Sequence, residues 1–435
     1  MSSINRVVSP VRVANSVGTT VPNTTAEQQL KRVTLAAMLW EDQFYLDGVS
    51  HAELVRDLVA KVQPEKVSDL AEVARSKFKL RHIPLLLARE LARSGRLQAQ
   101  TLTNIIQRPD EMSEFLSIYW QEGKTAVSNQ IKKGLAACFN KFNEYQLAKW
   151  NKNSAAIKLR DVMFLSHPKP QSAAQAELFK RVASDSLVTP DTWETQLSAG
   201  ADKCETFTRL MVEGKLGALA FLRNLRNMTR SGVAESLIRS YAAQVDVSRV
   251  LPFRFIAAAR IVPQFEDMLE QMMFRALTTQ PKLSGKTVLV IDVSGSMFGT
   301  SISQKSDLAR FDAAAALAIL CREICEEVEI YSFSYDAVRV APRRGFALRE
   351  AISSSQGHGG TQLGQAMRTI DADSSYDRVI VFTDEQSYDC PEQPRGRGYL
   401  VNVASYQHGV NHSAWNEING FSEAVIDYIQ AFEHE

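Results

Sequence analysis

Five side chains carry the clearest chemistry in this sequence. Asp292-Val293-Ser294-Gly295-Ser296 follows an apolar run, Thr383-Asp384 follows another, and between them Gly357-His358-Gly359-Gly360-Thr361 forms a glycine-rich segment. Asp292, Ser294, Ser296, Thr361 and Asp384 are hard oxygen donors. Two carboxylates and three hydroxyls, completed by water, suit an octahedral divalent cation, Mg²⁺ rather than zinc. The hydroxyls are neutral, so a bound cation would keep residual positive charge and could take an acidic group of a partner as a further ligand.

A second group is basic. Residues 120–170 hold nine Lys and Arg against three acids. Lys141, Tyr145, Lys149 and Lys152 recur at spacings of four, four and three, which predicts one helix face carrying cations beside an aromatic ring, with Trp150 close by. Cations neutralise phosphates and aromatic rings stack on unpaired bases. Arg223, Arg226 and Arg230 form a similar cluster. His167 stands in Leu165-Ser166-His167-Pro168-Lys169-Pro170; a lone His before Pro reads without context as a structural hydrogen-bonder.

The elements that must position these groups differ between the two parts of the chain. From about residue 25 to 280 apolar residues recur every three and four positions, with short breaks at Gln63-Pro64, Arg108-Pro109, the His167–Pro170 stretch and Thr189-Pro190. That pattern predicts an all-helical region of stacked helix pairs, a solenoid of irregular HEAT-like type. Residues 1–25 lack a helical period and read as an arm. After residue 284 the pattern becomes strand–helix alternation: strands at 287–294, 328–334, 378–384 and 398–405, helices at 307–326, 363–370 and 422–432. This predicts a doubly wound parallel α/β sheet, whose ligands sit at the carboxyl ends of the strands. The expected domains are thus 1–25, 26–280 and 285–435.

Charge follows the same division. The formal net charge of +1 is a cancellation: residues 285–435 carry 12 basic and 21 acidic side chains, and residues 1–284 carry 38 and 28. A basic half suggests a polyanionic partner. The five cysteines, Cys138, Cys204, Cys321, Cys325 and Cys390, are too sparse for a disulfide framework and read as buried or idle thiols. No apolar run has membrane-spanning or signal-peptide length, and a cytoplasmic location is expected. No phosphate-binding P-loop, GxSxG elbow or HExxH motif is present. Nor does a general base stand out beside the carboxylate–hydroxyl set, so an enzyme is not expected; Glu385 and Asp389, near in sequence, read as loop acids.

The pattern Asp292-x-Ser294-x-Ser296 with Thr361 and Asp384 resembles the metal-ion-dependent adhesion site (MIDAS) of von Willebrand factor A domains, a Rossmann-type fold. An all-helical basic region fused to such a domain resembles the TROVE family, which holds the Ro RNA-binding autoantigen and its bacterial relatives. The segments LAKWNK (147–152), LRDVMFLSHPKP (159–170), LPFRFIAAAR (251–260) and TLAAMLWEDQFYLDG (34–48) carry it. The resemblance implies a monomeric ring of HEAT-like repeats closed by the adhesion-type domain. It also implies small noncoding Y RNAs bound outside, single-stranded 3′ ends of misfolded RNAs in the hole, and an exoribonuclease partner. Lys149, Lys152 and His167 match positions lining the family's basic RNA surface; Lys133, Lys141, Arg160 and Lys169 are added from charge and helical phase. A ribonucleoprotein scaffold in RNA quality control is therefore the first expectation. A metal-dependent protein-binding module is the alternative.

Overall fold

The computed structural model describes residues 12–14, 20–22, 25–36, 48–78, 80–151, 155–248, 250, 252–278, 282–299, 309–384, 387–389, 391–403, 415–419 and 424–433. The chain divides into two compact units. One comprises 46–250 with 258–268, and the other 1–45, 251–257 and 269–435. Among the described residues no helix is long and apolar enough to cross a membrane.

The first unit is all helix. Successive helices pack on their neighbours and next-nearest neighbours, as in stacked helix pairs. The amphipathic faces explain why. In the helix Ala218–Arg230, Ala218, Phe221, Leu222, Leu225 and Met228 are buried, while Arg223, Arg226 and Arg230 are exposed along the opposite stripe. The helix Asn129–Phe139 starts where the Ser128 hydroxyl accepts the Ile131 N–H, and buries Ile131, Leu135, Cys138 and Phe139. It packs against the helices Ala99–Ile105 and Leu159–Ser166. The first contact needs Gly134, because a Cβ there would lie 2.9 Å from the Ala99 carbonyl. Lys132 and Lys133 stand on this tightly held helix.

The expected helix face running on from Lys141 is interrupted at its start. The helix containing Lys133 ends at Phe139, and a new one, Glu144–Trp150, begins at an Asn143–Gln146 capping box. Lys141 lies in the connection between them.

The second unit holds a short antiparallel pair, β1 (Arg12–Ala14) and β2 (Thr20–Pro22), and a six-stranded sheet. The sheet strands are β3 (Leu283–Asp292), β4 (Cys325–Phe333), β5 (Ala337–Arg339), β6 (Arg378–Thr383), β7 (Arg397–Asn402) and β8 (Asn416–Asn419). Their order is β5-β4-β3-β6-β7-β8. All pairs are parallel except β4–β5, so the sheet is mixed rather than wholly parallel. Val288 and Val290 face a core formed with Leu363, Ala366, Met367 and Ile370 of the helix Leu363–Asp373. The almost wholly buried helix Arg310–Ile324 packs on β3, β4 and β6. Covering of both faces explains why the central strands are continuous apolar runs.

Candidate functional site

The parallel register sets the first site. Ile291 of β3 lies opposite Phe382 of β6, so Asp292 and Asp384 emerge at the carboxyl ends of adjacent strands. Asp292, Ser294, Thr361 and Asp384 are buried, and Ser296 is half-buried. The carboxylate of Asp292 is fixed at both oxygens: Oδ1 accepts the Ser294 N–H at 2.8 Å, and Oδ2 accepts the Thr383 hydroxyl at 2.6 Å. The Ser294 and Ser296 hydroxyls lie 3.2 Å apart. Burial, and after it the charge of Asp384, push the Asp292 carboxyl up to about 6.

The glycine-rich segment is clipped to the end of β3. His358 Nδ1 donates to the Val293 carbonyl at 2.9 Å, and the His358 ring lies 4.0 Å from that of Phe298. Tyr335, largely exposed, lies against Gly359 and Gly360; a Cβ on Gly359 would meet its ring at 2.1 Å. Only glycine permits that approach. Asp389, expected to be a loop acid, has a structural task. Its carboxylate accepts the Gly364 and Gln365 N–H groups at 2.9 and 2.8 Å, at the start of the helix Leu363–Asp373. Glu385 lies outside the described residues.

Two buried carboxylates and a cluster of hydroxyls fit a hard divalent cation. Two negative charges close together in low dielectric call for a positive centre. Among the described residues no group of three His, Cys, Asp or Glu is placed to hold a metal, so an ion here must draw on hydroxyl oxygens. One feature was not legible in the motif. Arg310, the first residue of its helix, buries its guanidinium and donates from Nη1 to Asp384 Oδ2 at 2.8 Å.

The second site lies in the helical unit. Asn129, Lys132, Lys133 and Asn140 from one helix region, and Ser166, His167 and Lys169 from another, line an open groove of about 390 Å³. None of its three lysines makes an ion pair with a described residue, and no acid lines it. His167 ends the helix Leu159–Ser166 in a left-handed conformation, φ 49°, its N–H bonded to the Met163 carbonyl. Such a cap is ordinarily a glycine, and a side chain there costs about 1 kcal/mol.

The groove therefore gathers Lys133, His167 and Lys169, together with Lys132, one of the nine basic residues of 120–170. The other expected RNA residues lie elsewhere. Lys141 donates to the carbonyls of Thr103 and Ile106 at 2.5 and 2.6 Å, capping the helix Ala99–Ile105. Lys149 is exposed, its ammonium 5.8 Å from the Tyr145 ring centre and 6.0 Å from that of Trp150. Arg108 stacks on the Trp150 ring at 3.7 Å, an aromatic–cation pairing with no signal in the local spacing. Arg160 is partly exposed beside Asp161, 3.9 Å away. Lys152 lies outside the described residues. Cys138, Cys204, Cys321 and Cys325 are free thiols, with burial raising Cys138 to about 12; Cys390 is outside the described residues.

The TROVE domain family matches residues 180–306. Telomerase protein component 1 of Mus musculus is 35% identical over 89 residues, 19% of this chain and 3% of that protein. The same protein of Rattus norvegicus is 34% identical over 89 residues, with the same shares. The chain thus spans only 3% of the length of these curated relatives. The crystal structure of the Deinococcus radiodurans RO (RSR) protein superposes with a TM-score of 0.70 at 19% identity, covering 94% of this chain and 99% of that one. These similarities bear out the resemblance to the TROVE family, and the last gives the same fold, helical repeats with an α/β unit. The likeness of the α/β unit to von Willebrand factor A domains rests on its strand-end residues and sheet.

Proposed function

We propose that this TROVE-related chain is the RNA-binding scaffold of a ribonucleoprotein and not an enzyme. It would bind small noncoding Y-like RNAs and single-stranded 3′ ends of misfolded RNAs, and serve noncoding RNA quality control in the cytoplasm as a monomer, with an exoribonuclease as partner. The observation that carries this reading is the groove of Lys132, Lys133, His167 and Lys169. Three lysines without an ion pair among the described residues converge on one concavity with no acid in its lining. Ammonium groups so placed neutralise successive phosphates, and sequence-independent affinity for RNA follows. Exposed Lys149 beside Tyr145 and Trp150 adds a surface on which an unpaired base can stack.

The strand-end cradle is the second part of the proposal. Asp292, Ser294, Ser296, Thr361 and Asp384 would hold a divalent cation, Mg²⁺ first, that orders the loops and offers a coordination position to an acidic group. The exposed Tyr335, which lies against the glycine-rich segment, and Tyr388, whose N–H bonds to the Thr361 carbonyl, would contact such a partner. That arrangement also favours the alternative, a metal-dependent protein-binding module.

Ultraviolet cross-linking of the purified chain to RNA with a structured body and a single-stranded tail, followed by peptide mapping, separates the two. Cross-links within 129–140 and 166–169 support the RNA scaffold. Binding of an acidic protein that requires Mg²⁺, without RNA cross-links, supports the module.

A further inference from the structure

Arg310 stands where a cation is least welcome. As the first residue of its helix it adds positive charge to the positive end of the helix dipole. The acid that this helix start favours is already supplied by Asp312, whose Oδ2 accepts the Ala309 N–H at 3.1 Å and whose Oδ1 accepts from Arg349. Arg310 is nevertheless almost wholly buried, and its guanidinium reaches Asp384 across 74 residues of sequence. Asp384 is one of the two carboxylates of the strand-end cradle, and its charge is felt by the other, Asp292.

A guanidinium on Asp384 Oδ2 and a divalent ion bound by the same carboxylate are competing arrangements. Both need its negative charge, and two positive centres in a buried pocket repel one another. With only two carboxylates in the cradle, a divalent ion balances the charge by itself, whereas Arg310 balances half of it. We propose that Arg310 is the resident counter-charge of the cradle and an intramolecular competitor of the divalent cation: the ion enters by displacing the guanidinium from Asp384. The inference rests on the cation reading given above. It makes cation affinity a property set by Arg310, a residue outside the motif, through the fit of one long side chain.

The test is a calorimetric titration of the full-length chain with Mn²⁺. Arg310→Met keeps an unbranched apolar stem as far as the guanidinium and removes the charge; Arg310→Lys keeps the charge but loses the planar fork. Arg310→Met is expected to bind Mn²⁺ at least about tenfold more tightly than the unaltered chain, the weight of one charge-assisted hydrogen bond to a buried carboxylate. Arg310→Lys should fall between. Equal or weaker binding by Arg310→Met overturns the competition while leaving the cation site standing. Absence of Mn²⁺ binding in every form, including the unaltered chain, overturns both readings. If Arg310→Met does not fold, crystals of the unaltered chain soaked in Mn²⁺ decide the matter. Withdrawal of the guanidinium from Asp384 beside a bound ion supports the proposal, and an ion bound there with the 2.8 Å contact intact refutes it.

Discussion

Replacing Lys132, Lys133 and Lys169 together by Gln tests the groove quantitatively. The three ammonium groups line one concavity without ion pairs to described residues, so their loss removes phosphate contacts while breaking no described salt bridge. For single-stranded RNA each neutralised phosphate contributes about −0.7 to the slope of log K against log salt, so three lysines account for about −2 of it. The variant should therefore bind roughly 100-fold more weakly at 0.1 M salt and about tenfold more weakly at 0.3 M, the curves converging towards 1 M. Fluorescence anisotropy with a labelled single-stranded RNA across that salt range reads both numbers. Lys141→Gln is the matched control. That ammonium already caps the helix Ala99–Ile105 through two carbonyls, so its loss should cost about 1 kcal/mol of stability and leave the salt slope alone. Parallel salt lines for the triple variant and the unaltered chain, or an equal effect of Lys141→Gln on the slope, would refute the assignment of the phosphate contacts to the groove.

Two further predictions concern single residues. His167→Gly relieves the left-handed cap, worth about 1 kcal/mol, against about 0.5 kcal/mol for the freedom glycine adds to the unfolded chain, so stability should rise by about 0.5 kcal/mol while RNA binding weakens; denaturant titration and anisotropy read the two opposite signs. Burial alone would raise the Glu114 carboxyl, but the hydrogen bonds and charges of His82 and Arg81 outweigh it and hold it below the usual carboxylate range. A folded pKa that is depressed contributes stability above the unfolded value of about 4.3, and that stability is lost as pH falls through the folded pKa. Glu114→Gln should therefore be less stable than the unaltered chain at pH 7, with the gap closing below about pH 4 in thermal melts.

Much of the architecture is legible in the chain because its signals are local. The apolar runs at β3 and β6 are continuous since both faces of the sheet are covered, and a strand buried on both sides has no polar positions to spare. β5 and β8 escaped notice for the converse reason. They are three and four residues long and stand at the edges of the sheet, and β5 (Ala-Val-Arg) is partly to fully exposed, so neither is long enough to show a period. The charge period running on from Lys141 crosses a helix boundary: Asn143 with Gln146 three residues on is a capping box, which starts a new helix after Lys141. The strand-end donors are legible because one loop holds Asp292, Ser294 and Ser296 within five residues and the sheet supplies Asp384 at a second strand end. Arg310 is not, since its partner lies 74 positions away and only the packing of its helix on β3 and β6 brings the two together. The groove was half visible: Lys133, His167 and Lys169 followed from charge and resemblance. Their convergence depends on the contact of two helices that no period in the sequence records.

An electrophoretic titration shows whether the purified chain binds RNA directly. The probe is a structured RNA with a single-stranded 3′ tail at 50 mM salt, with a tail-less copy and an acidic protein of similar size as controls. Saturable binding below micromolar concentration, weakened by salt and by loss of the tail, is the predicted result. Indifference to both RNAs up to tens of micromolar at that salt, where phosphate contacts are strongest, would rule out direct RNA binding.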